Sequence, residues 1–342
     1  MAETQIASSL GPELVEGLAM TAQLNKGDKM KKTVLIAGGA GFIGSHLCES
    51  LVNQGFKVIC LDNLGTGRME NLKNIIKNKN FIFKKHDVQK PLKIKGAVNY
   101  VFHLASYASP PYYQTKSIET LLTNSVGTYN ILEFCRVKKA RYLITSTSET
   151  YGDPLEHPQK ETYWGNVNPV GIRSCYDEAK RFAEALTMEF VRKHKVDARI
   201  IRIFNTYGPR LQKDDGRVIS NFIWQALHGM DITIYGDGSQ TRSFCYVEDQ
   251  VKGLISAMMK EGLSGEVINI GNPDEFTMKE AAVIIKEMTG SKSKIVYMAL
   301  PKDDPTRRKP DITKAKKLLG WEPKVKLREG LSHTIKWFAD GQ

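Results

Sequence analysis

The sequence has no apolar run near the length that crosses a bilayer and no secretory signal. A membrane-spanning helix needs ~20 consecutive apolar residues, and the first thirty residues carry acidic side chains without a basic region followed by an apolar one. These absences predict a cytoplasmic protein. Met30 resembles a second start just before the first predicted strand, so residues 1–30 are expected to form a flexible tail. That tail could equally be a segment added for expression.

Cysteines are few and scattered. The chain has five, at positions that form no CxxC motif and have no histidine pair nearby: Cys48, Cys60, Cys135, Cys175 and Cys245. An odd number without metal-ligand spacing predicts structural thiols in a reducing compartment. Neither a disulfide framework nor a metal site is expected.

The composition is that of an ordinary globular protein. With 342 residues, 41% hydrophobic and 25% charged, the chain can form one large domain or two interlocked ones. The net charge of +12 is compatible with nucleic acid, but lysines and arginines are spread without an aromatic-rich basic motif. Solvated surface lysines explain most of the excess, and a small polyanionic ligand needs only a few cations.

Apolar strands alternate with helical patterns through the first two thirds of the chain. Such strands predict an α/β fold with a Rossmann-type doubly wound parallel sheet, covered on both faces. After about Asn205 the elements become shorter and richer in glycine, proline and charge, so residues 206–342 are expected to form mainly a substrate-binding lobe. The predicted strands are residues 33–37, 58–61, 81–83, 101–104, 142–145 and 199–203, and the predicted helices are residues 42–54, 117–136 and 176–194.

A glycine-rich turn lies between the first strand and the first helix. Gly38 permits a tight turn, Gly41 lets a backbone approach a pyrophosphate, and Gly44 lets the helix pack on the sheet. Asp62 closes the next strand about twenty residues later, where it would bond a ribose hydroxyl and repel a 2′-phosphate. This context predicts NAD binding by residues 31–205 and favours NAD over NADP. The nearby Arg68 leaves NADP open.

Tyr176 and Lys180 lie four positions apart at the start of a predicted helix. Residues i and i+4 share a helix face, so Lys180 is expected to stabilise the phenolate of Tyr176 and lower its pKa. A phenolate near neutral pH can act as a base on a sugar hydroxyl. Thr147 and Glu149, which close another apolar strand, complete a predicted nicotinamide redox site.

These motifs resemble the extended short-chain dehydrogenase/reductase family, and the resemblance covers nearly all of the chain from Lys31 onward. Within the family, the chain is most similar to the UDP-glucuronic acid decarboxylases, also called UDP-xylose synthases. The resemblance implies NAD-dependent conversion of UDP-glucuronic acid to UDP-xylose through a UDP-4-keto intermediate, in a homodimer. It is carried by Gly38-x-x-Gly41-x-x-Gly44, Ser148-Glu149-x-Tyr151-Gly152, Tyr176-x-x-x-Lys180, Asn205-x-Tyr207-Gly208-Pro209, Asp215-Gly216-Arg217-Val218, Asp303-Asp304-Pro305 and Arg308-Lys309-Pro310-Asp311.

Three sets of site residues follow from this resemblance. The implied catalytic residues are Thr147, Glu149, Tyr176, Lys180 and Arg242. The implied cofactor-binding residues are Gly38, Gly41, Phe42, Ile43, Gly44, Asp62, Asn63, Thr66, Gly67, Asp87, Val88, Leu104, Ser106, Tyr176 and Lys180. The implied substrate-binding residues are Asn205, Arg217, Val218, Tyr235, Arg242 and Arg308.

Several alternatives stay open at the level of sequence. Related 4,6-dehydratases carry an acidic residue where this chain has Ser148, and 4-epimerases generally lack a carboxylate at the position of Glu149. A UDP-glucuronate 4-epimerase nevertheless remains the main competitor, and a non-catalytic NAD-binding scaffold would have no use for the Thr147, Tyr176 and Lys180 set. Glu149 could instead hold a neighbouring side chain, Tyr235 could be a core aromatic, and Arg308 could face solvent.

Overall fold

Seven parallel strands form the central sheet of the protein. The computed structural model describes residues 32–300 and 305–341; the predicted tail of residues 1–30 and the Asp303-Asp304 pair lie outside them. In chain order, the strands are β1 (Thr33–Ala37), β2 (Lys57–Asp62), β3 (Phe81–Lys85), β4 (Tyr100–His103), β5 (Arg141–Thr147), β6 (Ala198–Ile203), β7 (Thr206–Tyr207), β8 (Ile232–Tyr235), β9 (Thr241–Ser243), β10 (Cys245–Tyr246), β11 (Val267–Ile270), β12 (Glu275–Thr277), β13 (Ile295–Met298) and β14 (Arg307–Arg308).

The spatial order of the central sheet is β11-β6-β5-β4-β1-β2-β3. All neighbouring strands in it run parallel. Successive residues of a strand face opposite sides, and both sides are buried: Val34 and Ile36 pack in one apolar cluster, Leu35 and Ala37 in another. This burial explains the continuous apolar strands of the sequence and confirms the predicted doubly wound α/β fold.

Helices cover both faces of the sheet. Leu47 and Leu51 of the first helix pack into the cluster on one face, whereas Leu132 and Ala183 from two later helices pack on the other. The α-helices are α1 (Phe42–Asn53), α2 (Pro110–Thr115), α3 (Ser117–Leu122), α4 (Thr128–Lys138), α5 (Ser174–His194), α6 (Val218–Leu227), α7 (Val247–Met259), α8 (Met278–Thr289), α9 (Thr313–Leu319) and α10 (Leu327–Ala339). No helix among residues 32–300 and 305–341 is long and apolar enough to span a membrane.

The single helix predicted over residues 117–136 is interrupted in the structure. A π-helical turn, Thr123–Gly127, separates α3 from α4. Here Asn124 donates to the Ser106 hydroxyl at 2.9 Å, and a Cβ on Gly127 would lie only 2.7 Å from Val88 Cγ2. The turn therefore lies where the helix packs closely against residues that follow β3 and β4, a local detail that hydrophobic spacing does not encode.

Residues beyond β6 form small sheets beside the central one, but they also return to it. Strand β11 extends the central sheet by pairing with β6, while β8 pairs with β13, and β7 with β10. In the three-stranded sheet β12-β9-β14, the register places Arg308 opposite Arg242. Two arginines distant in sequence thus become neighbours.

The order of the central sheet reverses between β1 and β4. In open parallel sheets, the crevice beyond the carboxyl ends of the strands at such a point is where ligands bind. The glycine turn follows β1, Asp62 ends β2, Leu104 follows β4 and Thr147 ends β5. The fold therefore brings the predicted site residues to one edge of the sheet.

Candidate active site

A cavity of about 340 Å³ opens at this edge of the sheet. All five implied catalytic residues line it, as do four implied substrate-binding residues: Asn205, Arg217, Val218 and Arg242. Thirteen of the implied cofactor-binding residues also line it, namely Gly38, Gly41, Phe42, Ile43, Gly44, Asp62, Asn63, Thr66, Val88, Leu104, Ser106, Tyr176 and Lys180. Most of the residues predicted from the sequence therefore converge on one place.

Four implied residues lie outside the lining of the cavity: Gly67, Asp87, Tyr235 and Arg308. A Cβ on Gly67 would approach Asp62 Oδ1 at 2.8 Å, so this glycine makes room for the Asp62 carboxylate. Asp87 accepts from the backbone N–H of Gln89 at 3.0 Å, which fixes the turn after β3. Tyr235 is 46% exposed, so the alternative that it is a core aromatic is wrong.

The glycine turn leaves no space for side chains. Gly38 has a left-handed φ of +82°, and a Cβ there would lie 2.7 Å from the Ala105 backbone nitrogen. A Cβ on Gly44 would overlap the Gly38 carbonyl oxygen. The turn packs tightly against Leu104 and Ala105, which follow β4, while the N-terminus of α1 lies at the cavity, an arrangement that attracts phosphate groups.

Asp62 is held in a fixed orientation at the end of β2. Its two carboxylate oxygens accept backbone N–H groups of Ala40 at 2.9 Å and Leu64 at 2.8 Å. Burial raises the pKa of Asp62, and these two hydrogen bonds act in the opposite direction. Arg68 was the reason to keep NADP binding as an alternative. Its guanidinium donates to Gln212 Oε1 at 3.2 Å and lies 4.0 Å from Asp214. Its side chain is engaged by residues that follow β7.

Tyr176 and Lys180 face the cavity from the first turns of α5, but their pKa values differ from the expectation. Burial raises the pKa of Tyr176 to about 12, although the Thr147 hydroxyl and the Arg217 charge act in the opposite direction. The Lys180 ammonium lies 5.9 Å from the centroid of the Tyr176 ring and donates to the Thr145 carbonyl at 3.0 Å. The prediction of a phenolate near neutral pH is therefore wrong for this structure, because burial outweighs the stabilising contacts.

Lys180 is itself perturbed by its surroundings. Burial lowers its pKa to about 8, against the opposing effect of the Glu184 carboxylate. Tyr113 stacks on the Tyr176 ring with a centroid separation of 5.1 Å and an interplanar angle of 9°. These contacts fix the orientation of the Tyr176 ring at the wall of the cavity.

Glu149 lies among arginines. Its Oε2 accepts from Arg173 Nη2 and, at 3.2 Å, from Arg308 Nη2. Burial would raise its pKa, but the charges of Arg308, Arg173 and Arg242 lower it to about 2. Glu149 is therefore a carboxylate at neutral pH and cannot donate a proton there.

Arg308 is 1% exposed, so the alternative that it faces solvent is wrong. It donates to the Ser148 carbonyl at 2.6 Å as well as to Glu149. Arg242, its neighbour across β9 and β14, donates to the carbonyls of Thr241 at 2.9 Å and Pro305 at 2.8 Å. Both guanidiniums are thus fixed by backbone oxygens beside Glu149, which concentrates positive charge at this end of the cavity.

Sequence reasoning missed Arg173 as a site residue. It lies three positions before Tyr176, next to the start of α5, and an i, i+3 relation places both on one helix face. That spacing was a usable signal. Asp177 was also missed: it is 7% exposed, and burial together with the Glu149 charge raises its pKa to about 7, while Arg173 and Arg308 oppose the shift.

Disulfides and clusters of metal ligands are both absent among the described residues. All five cysteines are free and buried. Within residues 32–300 and 305–341, no group of three or more His, Cys, Asp or Glu side chains could hold a metal ion. The described site consists of a phenol, an ammonium, a carboxylate and several guanidiniums.

The sequence matches a family model and curated proteins over most of its length. The family model is described as GDP-mannose 4,6 dehydratase and matches residues 35–334. UDP-glucuronic acid decarboxylase 3 of Arabidopsis thaliana is 55% identical over 299 residues, which are 87% of this chain and 86% of that protein. UDP-glucuronic acid decarboxylase 1 of Danio rerio is 51% identical over 312 residues, 91% of this chain and 74% of that protein.

A solved structure with bound ligands has the same fold. A point mutant of the UDP-glucuronic acid 4-epimerase from Bacillus cereus, in complex with UDP-4-deoxy-4-fluoro-glucuronic acid and NAD, superposes with a TM-score of 0.80. The two sequences are 27% identical, and the alignment covers 90% of this chain and 99% of that one. The decarboxylases are far more similar in sequence than this epimerase. The chain belongs to the UDP-glucuronic acid decarboxylases of the extended short-chain dehydrogenase/reductase family.

Proposed function

We propose that the protein converts UDP-glucuronic acid to UDP-xylose and CO₂ through a UDP-4-keto intermediate, with NAD as a tightly held cofactor. The observation that carries this proposal is the carboxylate of Glu149, held by Arg173 and Arg308 in the same cavity as Thr147 and Tyr176. A redox site alone would serve many reactions on sugars. A carboxylate fixed among arginines beside it fits a step in which a substrate carboxylate leaves.

The cavity fits NAD at the edge of the sheet. The tight turn at Gly38 and Gly44 places the N-terminus of α1 at the cavity, where it would attract a pyrophosphate, and Asp62 presents buried acceptor oxygens for a ribose. The orientation of Arg68 toward Gln212 and Asp214 supports NAD over NADP. When bound, NAD⁺ would accept the hydride from C4 of the sugar, and the NADH so formed would return it.

In the oxidation step, Tyr176 takes the proton of the C4 hydroxyl. Its phenol must first lose its own proton, and the groups that stabilise the phenolate are the Thr147 hydroxyl and the Arg217 charge. Lys180 places a positive charge 5.9 Å from the centroid of the ring and, with a pKa of about 8, can exchange a proton close to neutral pH. The stacked ring of Tyr113 keeps the phenol in place.

In the decarboxylation step, the arginine cluster and Glu149 control the charge around the substrate. Oxidation at C4 makes the substrate a β-keto acid, so the carbon–carbon bond can break with its electrons moving to the C4 oxygen. The resulting enolate takes a proton at C5, and return of the hydride to C4, with the proton returned by Tyr176, gives UDP-xylose. Arg173 and Arg308 bind Glu149 and are thereby fixed in orientation. Glu149 stays ionised, so its charge favours departure of neutral CO₂ over retention of a second carboxylate nearby.

The nucleotide end of the substrate needs cations for two phosphates. Arg217 and Arg242 line the cavity, and so does Asn205, which follows β6 in the chain. We assign these three residues and Val218 to the UDP moiety. Tyr235 remains a candidate for base stacking at the outer end, and Arg308 acts with Glu149 instead of with phosphate.

Domain organisation and assembly follow the same proposal. Residues 31–205 form the NAD-binding domain, and residues 206–342 form mainly the UDP-sugar lobe, with β11 returning to the central sheet. Exposed apolar side chains on α3, α4 and α5 support a homodimer built on these helices: Ile118, Leu122, Tyr129 and Phe182. The cytoplasmic location stays a prediction.

Mass spectrometry of the reaction products tests the function. The purified protein, incubated with UDP-glucuronic acid and NAD⁺ in the presence of EDTA, should release CO₂ and form UDP-xylose. A product of unchanged mass, with the carboxylate retained, would identify a 4-epimerase and refute decarboxylation. Activity that requires an added divalent metal would refute the metal-independent chemistry.

A further inference from the structure

A short segment crosses between the two sides of the cavity. Residues 209–217, here called the strap, follow β7 and precede α6. Leu211, Gln212, Asp215 and Arg217 of the strap line the cavity together with the glycine turn and Asp62. The strap therefore borders the space assigned above to the dinucleotide, although the function requires none of its hydrogen bonds to other segments.

The first end of the strap is fastened to the NAD-binding helix α1. His46 Nε2 lies 2.9 Å from the Pro209 carbonyl oxygen, and Arg210 forms an ion pair with Glu49. Arg210 also has a left-handed φ of +69°, which is unfavourable for a residue with a side chain. The ion pair and the hydrogen bond hold the backbone in this conformation.

The second end is fastened to the opposite wall. Arg217 Nη2 donates to the Ala108 carbonyl at 3.2 Å, and a Cβ on Gly216 would lie 2.6 Å from Pro111 Cδ. Ala108 lies just before α2, and Pro111 lies within it. The strap thus bridges α1 on one side and the α2 region on the other.

Gln212 joins both walls through one side chain. Its Nε2 donates to the Thr66 carbonyl at 2.5 Å, on the loop that follows β2. Its Oε1 accepts from Arg68 Nη2 at 3.2 Å and from the Tyr112 hydroxyl at 3.2 Å. An amide is suited to this position, because it donates to a carbonyl and accepts from two donors at once.

We propose that the strap must open for the dinucleotide to enter and leave, and that Gln212 is the positioning residue that keeps it closed during turnover. The inference rests on the proposed function, in which the same cofactor molecule must stay bound between removal of the hydride and its return. A strap that opened too readily would release reduced cofactor and leave the 4-keto product. Gln212 thereby sets the partition between UDP-xylose and an abortive 4-keto sugar nucleotide.

The direct test is the rate of NADH dissociation, measured by stopped-flow fluorescence after mixing the NADH-bound full chain with excess NAD⁺. Gln212→Ala should increase this rate at least ~10-fold, since it removes three hydrogen bonds that hold the strap closed. It should also raise the share of 4-keto product. Tyr112→Phe, which removes one of the three hydrogen bonds, should give a smaller increase in the same direction.

The matched control is Gln225→Ala. Gln225 also makes side-chain hydrogen bonds on both its amide atoms, to Thr233 Oγ1 at 2.8 Å and from the Thr233 N–H at 3.1 Å, but it lies on α6 outside the cavity lining. NADH should dissociate from this variant at the wild-type rate.

Three outcomes would overturn the proposal, and they are distinguishable. In the first outcome, the wild-type protein binds NADH and releases CO₂, but NADH dissociates from Gln212→Ala and Tyr112→Phe within twofold of the wild-type rate. The strap proposal alone is then wrong. An equal acceleration in Gln225→Ala would likewise show that loss of packing, and not release of the strap, is responsible. If the wild-type protein binds no NADH, the proposed function and the strap proposal both fail.

Discussion

Replacing Glu149 with glutamine changes the charge at the decarboxylation end of the cavity while keeping the size of the side chain. In the wild-type protein, Arg308, Arg173 and Arg242 lower the pKa of Glu149 from its ordinary value of 4.5 to about 2, against the effect of burial. That shift corresponds to about 3 kcal/mol in favour of the ionised form. Glutamine cannot supply this charge, so the arginines lose the partner that orients them.

The two chemical steps should respond differently. Hydride removal at C4 depends on Tyr176, Thr147 and Lys180, which the substitution leaves in place, so a single turnover should still form NADH. Loss of CO₂ depends on the charge around the substrate carboxylate, so this step should slow by ~10²-fold or more, the order of magnitude expected when one preorganised electrostatic group is removed from an active site. Reduced nicotinamide should therefore accumulate in the Glu149→Gln enzyme.

Stopped-flow absorbance of the nicotinamide, recorded in parallel with CO₂ detection, separates these steps. Glu161→Gln is a suitable control: this glutamate is also partly buried and accepts the Asn269 N–H at 2.8 Å, but it lies outside the cavity lining. The control should follow wild-type kinetics in both signals. If Glu149→Gln blocks NADH formation as completely as loss of the Tyr176 hydroxyl, the carboxylate acts at or before oxidation, and its assignment to decarboxylation is wrong.

Three further predictions concern the cofactor site, the base and a buried acid. NAD⁺ should bind more tightly than NADP⁺ by roughly 2–5 kcal/mol, as expected for an unpaired buried charge opposing a 2′-phosphate, and Asp62→Ala should narrow the difference in calorimetric titrations; equal wild-type affinities would contradict the role of Asp62. Tyr176→Phe should slow NADH formation by ~10²–10⁴-fold with nearly unchanged UDP-glucuronic acid affinity, and a retained oxidation rate would exclude Tyr176 as the base. Burial and Glu149 raise the pKa of Asp177 from 3.8 to about 7, so the folded protein holds a proton there that the unfolded chain releases. Its contribution to the free energy of unfolding is therefore present below about pH 4 and lost as the pH rises to 7. Urea titrations at several pH values should show that Asp177→Asn makes the free energy of unfolding less dependent on pH in this range, and an unchanged pH dependence would contradict the shifted pKa.

The fold was largely predictable from the sequence because local patterns encode it. Continuous apolar strands such as residues 33–37 signal burial on both faces, and the glycines at 38 and 44 are required because added side chains there would collide with the backbone. The interruption at Thr123–Gly127 was not predictable, because it depends on contacts with Ser106 and Val88 from other parts of the chain. Helical periodicity shows which face of a helix is buried, but it does not show which distant residues pack against that face.

The site was predictable in its members but not in its electrostatics. The i, i+4 spacing places Tyr176 and Lys180 on one face, yet the pKa of Tyr176 rises because burial dominates, and sequence spacing carries no information on burial. The pairing of Arg308 with Glu149 depends on the register of β14 beside β9, and it joins segments 159 residues apart. Only the folded chain shows that this arginine belongs to the decarboxylation end and not to the solvent.

The most direct test of the account uses UDP-glucuronic acid that carries deuterium at C4. If a single bound nicotinamide removes and returns the same hydride around the loss of CO₂, the UDP-xylose formed should retain the deuterium at C4 and lack the carboxylate carbon. Mass spectrometry and proton NMR of the purified product read both features. UDP-xylose without deuterium would contradict return of the same hydride, and a labelled product that keeps its carboxylate would contradict decarboxylation itself.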